Sequence, residues 1–137
     1  MRFIAYYLRI NQKLVINIYP LPIIGENIQQ LEVLHYATEL DLNTGYYIIS
    51  ILPSSQDMTT IVTGFGKFRY NRLPMGIWDS GDIFQAKLDK LLSDIEGVKM
   101  CINDILVLSK DSFENHIDQT IIIFGRVRAA GLKVDAT

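Results

Sequence analysis

Short apolar runs separated by turn-forming residues recur along the chain, and their spacing predicts alternating strands and helices. Residues 2–10 alternate loosely between apolar and polar positions and predict a first strand. The segment 19–22 predicts an extended break, because proline disfavours helix at the residue before it. A short amphipathic helix is predicted next, from apolar residues at helical spacing: Ile24, Ile28, Leu31 and Leu34.

Two strand pairs are predicted in the middle of the chain. The runs 37–42 and 46–52 are joined by the Asn-Thr-Gly of residues 43–45, which is a plausible hairpin loop. The runs 59–63 and 67–72 flank a Gly-Phe-Gly turn and predict a second hairpin.

The second half of the chain predicts a helix, a hairpin and a further helix. The hairpin has strands over 98–102 and 105–109, and the last helix begins after Ser112 as its N-cap and ends at Gly131. The order of elements is typical of an α+β fold, with an antiparallel sheet and helices packed on one face. The apolar residues that define the two helices are Ile83, Leu88, Leu91 and Leu92, then Ile117, Ile121, Phe124 and Val127.

Composition places the chain among globular proteins with one domain. It has 137 residues, of which 49% are hydrophobic and 20% charged, enough for a single folded core. No apolar run approaches the roughly 18 residues of a membrane span, so no membrane partner is expected. The single cysteine excludes an intrachain disulfide. We therefore expect an intracellular location, in the cytoplasm or the nucleus.

The charge balance gives little support to nucleic-acid binding. A net charge of −2 argues mildly against a self-sufficient binder, because phosphate contacts favour basic proteins. Two local basic clusters, for which a solvated surface is the simpler explanation, are Lys67, Arg69 and Arg72, then Arg126, Arg128 and Lys133.

Three polar side chains mark candidate chemistry. Asp41 ends one apolar run, and Asn103 and Asp104 lie between two others. If the fold brings Asp41 beside the hairpin, two carboxylates and one carboxamide share a site, which is close to a two-metal set. From these residues alone, a plain turn at 103–104 is the more frequent alternative. Three other residues lack the sequence neighbours that would indicate zinc binding or a nucleophile: His35, His116 and Cys101.

Five blocks, in this order and at this spacing, resemble the fingers and palm core of reverse transcriptases, particularly those of gypsy-type long-terminal-repeat retrotransposons. They are LDLNTGYY (40–47), FGKFRYNRLPMG (65–76), DIFQAKLDKLL (82–92), CINDILVLSK (101–110) and GLKV (131–134). The similarity extends upstream through MRFIAYYLRIN and YPLP, so it covers nearly the whole chain. It implies fingers-like segments at 1–36 and about 53–76, and palm-like segments at about 37–52 and 77–137.

The resemblance implies nucleotidyl transfer onto a primer end, templated by RNA or DNA. In this family two Mg²⁺ ions, about 3.5–4 Å apart, lie between the attacking oxygen and the triphosphate. The implied partners are a primer-template, a deoxynucleoside triphosphate and the other parts of a retrotransposon polyprotein.

Individual positions carry over from the resemblance as well. Asp41 and Asp104 match two metal-binding aspartates, whereas Asn103 stands where the family has a third. An amide brings no charge and binds Mg²⁺ weakly, so we expect polymerase activity to be severely reduced or absent. Four further positions match residues that lie around the nucleotide: Arg2, Tyr46, Met75 and Gln85.

Some positions depart from the family pattern. Tyr6 and Leu8 replace the Asp and Arg of an Asp-Tyr-Arg motif, and Gly64 and Gly81 replace prolines. The thumb and RNase H segments fall outside the matched blocks, and we expect them to be missing from the chain. Three functions stay open: a reverse-transcriptase fragment with impaired catalysis, a non-catalytic retrotransposon remnant or binding module, and a working polymerase whose other parts lie elsewhere.

Overall fold

The computed structural model describes residues 5–15, 18–20, 34–43 and 45–135. Most of the helix predicted over 24–34 lies outside the described residues, and so does Arg2. The described helices are α1 Leu8–Asn11, α2 Pro53–Gln56, α3 Ser80–Leu92 and α4 Phe113–Ala129, with 3₁₀ turns at Gly45–Ile48 and Asp57–Thr59. The described strands are β1 Tyr36–Asn43, β2 Ile61–Thr63, β3 Gly66–Phe68, β4 Val98–Cys101, β5 Asp104–Ser109 and β6 Lys133–Asp135.

Four strands form one antiparallel sheet in the order β4-β5-β1-β6, and β2 and β3 form a separate hairpin. β1 pairs with β5 on one side and β6 on the other, so that Leu40 lies opposite Ile105 and Leu42 opposite Val134. Because successive side chains alternate across a sheet, these apolar pairs share one face. The strand predicted at 37–42 and the two hairpins predicted around 59–72 and 98–109 are confirmed.

Helices α3 and α4 cover that apolar face of the sheet and build the core with it. A fully buried side chain of this kind contributes about 1.5–3 kcal/mol. The opposite face, called the open face below, carries the exposed Glu39 and Asp41 of β1. The α+β fold with helices on one face is therefore confirmed. The core side chains are Leu40, Leu42, Phe84, Leu88, Leu92, Met100, Ile105, Val107, Ile123, Val127 and Leu132.

The strand predicted over 46–52 is wrong, because this segment folds as a 3₁₀ turn and then an irregular run. It does not extend the β1 hairpin: the N–H of Ile51 donates to Asn71 O at 3.1 Å, and the N–H of Leu73 donates to Ile49 O at 2.8 Å. The backbone of this run therefore pairs with residues 71–73, a partner far away in the sequence.

The strand predicted over 2–10 is wrong for its described part, because Leu8–Asn11 is a helical turn. The N–H of Asn11 donates to Tyr7 O at 2.9 Å, and that of Gln12 donates to Leu8 O at 3.0 Å. These bonds close a turn within the segment, where a strand would need a neighbour.

The predicted bounds of α4 are confirmed, but the predicted apolar face is wrong in three of its four residues. Ser112 accepts a hydrogen bond from the N–H of Asn115 and caps the helix, as predicted. Ile117, Ile121 and Phe124 are 40%, 60% and 42% exposed, whereas the buried face consists of His116, Thr120, Ile123 and Val127. The described helices include none that is both long and apolar enough to span a membrane.

His116 explains why a polar residue occupies this buried face. Its two ring nitrogens hydrogen-bond to the hydroxyl groups of Thr38, at 2.8 Å, and Ser109, at 2.7 Å. The imidazole also packs beside Tyr36, with the ring centroids 5.8 Å apart. A buried polar group with both partners supplied carries little desolvation cost, so α4 turns this ring toward the sheet.

Replacing His116 with alanine is expected to lower the free energy of unfolding by about 2 kcal/mol, because two buried hydrogen bonds of about 1 kcal/mol each are lost. Ile117→Ala, one position along the same helix, should cost less than about 1 kcal/mol, since its side chain reaches solvent. Urea denaturation followed by circular dichroism measures both values. Equal losses would contradict the assignment of the buried face.

Candidate active site

The sheet places Asp41 directly beside Asp104. The two residues are register partners where β1 and β5 meet, and both side chains are exposed on the open face. The N–H of Leu42 donates to Asn103 O at 2.8 Å, which continues the pairing into the hairpin turn. The condition set by the sequence, that Asp41 must come beside the hairpin, is met.

The turn that carries Asn103 is tight and strained. Cys101 pairs with Asp104, so Ile102 and Asn103 alone form the turn between β4 and β5. Ile102 has φ 56° and is the one non-glycine residue with positive φ in the described ranges. A β-branched residue adopts this conformation at a cost, and such strain occurs often at functional sites.

The carboxamide of Asn103 is the unusual polar group of the turn. Its Oδ1 is buried and accepts no hydrogen bond from any described residue. An unpaired buried acceptor costs about 1–3 kcal/mol. The side chain that replaces an expected aspartate therefore lies in a desolvated position that the surrounding structure does not satisfy.

Gln85 is buried in α3 and connects that helix to the turn. Its Oε1 accepts from the N–H of Ile102 at 2.6 Å, and its Nε2 donates to Met100 O at 3.2 Å and to Asp89 Oδ1 at 2.9 Å. The oxygen and the nitrogen of the Gln85 side-chain amide are thus both hydrogen-bonded to other residues of the protein. The bond to Ile102 holds the residue whose backbone is strained.

Gln85→Leu is expected to lower the free energy of unfolding by about 1–2 kcal/mol, because the N–H of Ile102 loses its acceptor. Lys90→Leu, an exposed position of the same helix, should change it by less than about 0.5 kcal/mol. Hydrogen exchange at the Ile102 amide, followed by NMR, should speed up in Gln85→Leu alone. An unchanged exchange rate there would refute the bracing role.

Tyr46 is held at the end of β1 by an aromatic contact. Its ring packs against Phe84 with centroids 5.1 Å apart, and burial raises the pKa of the Tyr46 hydroxyl. Phe84 is fully buried and also covers Gly45, where an added Cβ would lie 2.2 Å from the ring Cζ. Glycine at 45 therefore lets the ring approach the backbone, and the ring supports Tyr46.

Met75 lies in a loop over residues 73–78 that precedes α3. Its side chain is half-buried, and Trp78 at the end of the loop is 62% exposed.

Asp41, Asn103 and Asp104 are joined through strand pairing, and Tyr46 follows β1 within three residues of its last position. The nucleotide contacts of Tyr46, Met75 and Gln85 stay predictions.

Asp135 is a site residue that the sequence reasoning did not single out. It is the register partner of Asp41 on the side away from Asp104, so three aspartates form a row across β5, β1 and β6 on the open face. The alternation Lys-Val-Asp at 133–135 is a strand signal, but nothing local shows which strand it joins. Asn43 Nδ2 donates to its carboxylate at 3.4 Å.

These side chains do not form a complete metal site. In the part of the chain that the structure describes, no three His, Cys, Asp or Glu side chains come together closely enough to hold a metal ion. Asp41 and Asp104 supply two charges, and the amide of Asn103 supplies none. Two Mg²⁺ ions require oxygen ligands in near-octahedral geometry. Their four positive charges would be poorly balanced by the two negative charges of Asp41 and Asp104. The donor set therefore does not fit a two-ion centre.

Known proteins with similar sequences decide the family. The chain is 31% identical over 137 residues to the retrovirus-related Pol polyprotein of transposon opus from Drosophila melanogaster, with 98% of the chain matched. It is 29% identical over 125 residues to the Pol polyprotein of transposon gypsy from the same organism. It spans only 14% and 12% of the lengths of these two relatives. No protein-family model matches the chain.

Solved structures agree with the sequence relatives. The native protease-reverse transcriptase of prototype foamy virus is 27% identical and has a TM-score of 0.78, over 94% of this chain and 17% of that one. The chain corresponds to part of a reverse transcriptase. A foamy viral protease-reverse transcriptase in complex with double-stranded DNA has the same fold, with a TM-score of 0.83 at 24% identity, over 98% of this chain and 24% of that one. The reverse-transcriptase fold predicted from the five sequence blocks is confirmed.

Proposed function

We propose that the chain is the part of a reverse transcriptase that brings a primer end and an incoming nucleotide to Asp41 and Asp104, with nucleotidyl transfer strongly reduced. The observation that carries the proposal is the register pairing of Asp41 with Asp104 beside a two-residue turn. This pairing would place both carboxylates at one point of the open face. The reduction follows from the amide of Asn103 in that turn.

The reduction is an electrostatic argument. Metal-assisted transfer needs ligand charge to hold two divalent cations while negative charge develops on the phosphate. An amide of equal size in place of one carboxylate removes one negative charge from the turn next to Asp104. We therefore infer that Mg²⁺ binds weakly here.

The proposed partners are a primer-template and a deoxynucleoside triphosphate. Foamy viral protease-reverse transcriptases have been solved with double-stranded DNA and with an RNA/DNA hybrid, which supports nucleic acid as a partner of this chain. On the open face, Lys99 of β4 and Lys133 of β6 lie on the two outer strands, on either side of the aspartates. Because the net charge is −2, we expect weak, salt-dependent binding to which further parts of a Pol polyprotein would add.

A non-catalytic role is the second candidate. The observation that favours it is again the buried Asn103 carboxamide, which is neutral where a metal-binding carboxylate is expected. In that case the open face would bind nucleic acid or another protein without extending a primer.

Primer extension tests the proposal directly. The chain is incubated with oligo-dT on poly-rA and dTTP, in Mg²⁺ or Mn²⁺, beside Asp41→Asn as a variant without catalytic activity. We expect extension at or barely above that of Asp41→Asn, and binding of a labelled RNA/DNA hybrid by both proteins in fluorescence anisotropy. Robust extension by the parent chain would refute the impairment, and absence of hybrid binding at low salt would refute the nucleic-acid role.

A further inference from the structure

Asn11 is a buried polar residue in a helical turn that is hydrogen-bonded to the rest of the protein. It ends α1 and is 6% exposed. At the start of that turn Tyr7 is buried too, and its hydroxyl donates to Thr59 O at 3.2 Å. Burial, with Tyr70 and Tyr47 nearby, raises the pKa of Tyr7 to about 12, so the hydroxyl stays a donor at neutral pH. α1 is therefore anchored to the body of the protein at Tyr7.

Both ends of the Asn11 amide bind one distant loop. Nδ2 donates to Gly76 O at 2.9 Å, and Oδ1 accepts from the N–H of Trp78 at 3.1 Å. The donor and acceptor of one side chain thus satisfy two peptide groups that are two residues apart. Such a paired contact defines both the position and the direction of the loop backbone.

Other bonds hold the ends of this loop, and in its middle the Ile77 carbonyl accepts from the N–H of Ser80 at 3.1 Å. The N–H of Leu73 donates to Ile49 O at 2.8 Å, and the hydroxyl of Ser80 donates to Pro74 O at 2.9 Å. Between these anchors, Gly76 has φ 99°, a conformation that favours glycine. The two peptide groups that follow this left-handed residue, the Gly76 carbonyl and the Trp78 backbone N–H, are the ones that Asn11 binds.

We propose that Asn11 is a positioning residue for nucleotide binding, which holds the loop over 73–78 so that Met75 contacts an incoming deoxynucleoside triphosphate. The inference rests on the proposed function and on the nucleotide contact that the resemblance predicts for Met75. Asn11 acts through the loop backbone and does not touch the nucleotide. Met75 immediately precedes Gly76 in the sequence, so a displacement of the Gly76 Cα would displace the Met75 backbone and side chain with it.

Trp78 makes this arrangement measurable. It is the single tryptophan of the chain and is largely exposed. Its backbone N–H, and not the indole N–H, is one of the two groups that Asn11 binds. Acrylamide quenching of the Trp78 emission, measured without nucleotide, therefore reports how accessible this loop is to solvent. The same emission reports binding when dTTP is added with Mg²⁺.

The experiment compares the parent chain with Asn11→Ala, Asn11→Asp and the control Gln12→Ala, at a temperature where circular dichroism shows all four folded. Gln12 is the next residue and is exposed. We expect Asn11→Ala to weaken dTTP binding about tenfold, the equivalent of about 1.4 kcal/mol, and to change the quenching constant of Trp78. Asn11→Asp keeps an acceptor for Trp78 and should fall between Asn11→Ala and the parent. Gln12→Ala should match the parent.

The outcomes separate this inference from the proposed function. Unchanged quenching and unchanged dTTP affinity in Asn11→Ala would overturn the positioning role while leaving nucleotide binding intact. If dTTP does not change the emission of the parent chain and equilibrium dialysis also shows no binding, the proposed nucleotide site is refuted, and the role of Asn11 in nucleotide binding with it. Changed quenching in Asn11→Ala with equal dTTP affinity would show that Asn11 holds the loop but does not position the nucleotide.

Discussion

Asn103→Asp is expected to make the stability of the chain depend on Mg²⁺. Without metal the variant should be less stable by about 1–3 kcal/mol, because a charged oxygen replaces a buried, unpaired one. With Mg²⁺ at a hundred times its Kd, the variant should regain about 2.7 kcal/mol through binding to the folded state alone. The parent chain should change little over the same range, since Asp41 and Asp104 supply only two charges. Thermal unfolding across a Mg²⁺ titration measures all three expectations.

Asn71→Asp is the matched control for this experiment. It makes the same chemical change at an exposed position outside the four strands of the sheet that carries the two aspartates. Its melting temperature should respond to Mg²⁺ as that of the parent does. A similar Mg²⁺ response in both aspartate variants would show that added surface charge, and not the hairpin site, binds the ion.

Asn103→Asp is also expected to raise primer extension by at least about tenfold. Even groups that only orient metal ligands change metal affinity 10–100-fold. The assay is oligo-dT extension on poly-rA with the parent chain alongside. Mg²⁺-dependent stabilisation without any gain in extension would mean that the missing carboxylate is not what limits catalysis. The parts of a Pol polyprotein outside the chain would then be needed for transfer.

Local patterns were enough to predict the elements that surround the site. Strand alternation predicted β1 and the β4–β5 hairpin, and a serine N-cap with a C-terminal glycine predicted the bounds of α4. These signals involve residues close in sequence, so no knowledge of the fold is needed to see them. The pairing of Asp41 with Asp104 could only be stated as a condition, because it depends on which strands become neighbours.

The errors occur where distant contacts outweigh the local pattern. Apolar spacing put Ile117 and Ile121 on the buried face of α4, whereas two hydroxyl groups from the sheet satisfy His116 and turn that face inward. Asp135 joins the aspartate row only because β6 pairs with β1, a strand near the opposite end of the described sequence. The strand predicted at 46–52 is wrong because this run begins with a 3₁₀ turn and its backbone then pairs with residues 71–73.

Gly45→Ala is expected to destabilise the protein by about 3 kcal/mol, near the upper end for an overpacked core. The added Cβ would lie 2.2 Å from Cζ and 2.7 Å from Cε2 of Phe84, a fully buried ring. Either the 3₁₀ turn at 45–48 shifts or the ring rotates away from Tyr46. Both changes disturb the aromatic contact that holds Tyr46 near the end of β1. Urea denaturation gives the loss, and near-ultraviolet circular dichroism reports the altered packing of the two rings.

Two further variants distinguish a local clash from a general effect of the glycine. Gly125→Ala, in α4, adds the same methyl group where no atom of the described residues lies within 4 Å apart from the local helix backbone, and it should raise stability by about 0.5–1 kcal/mol because alanine favours helix. Phe84→Leu removes the ring that the new Cβ would meet, so Gly45→Ala should cost less in that background than in the parent. Full additivity of the two substitutions would mean that they do not interact. The contact between Gly45 and Phe84 would then not be what determines the position of Tyr46.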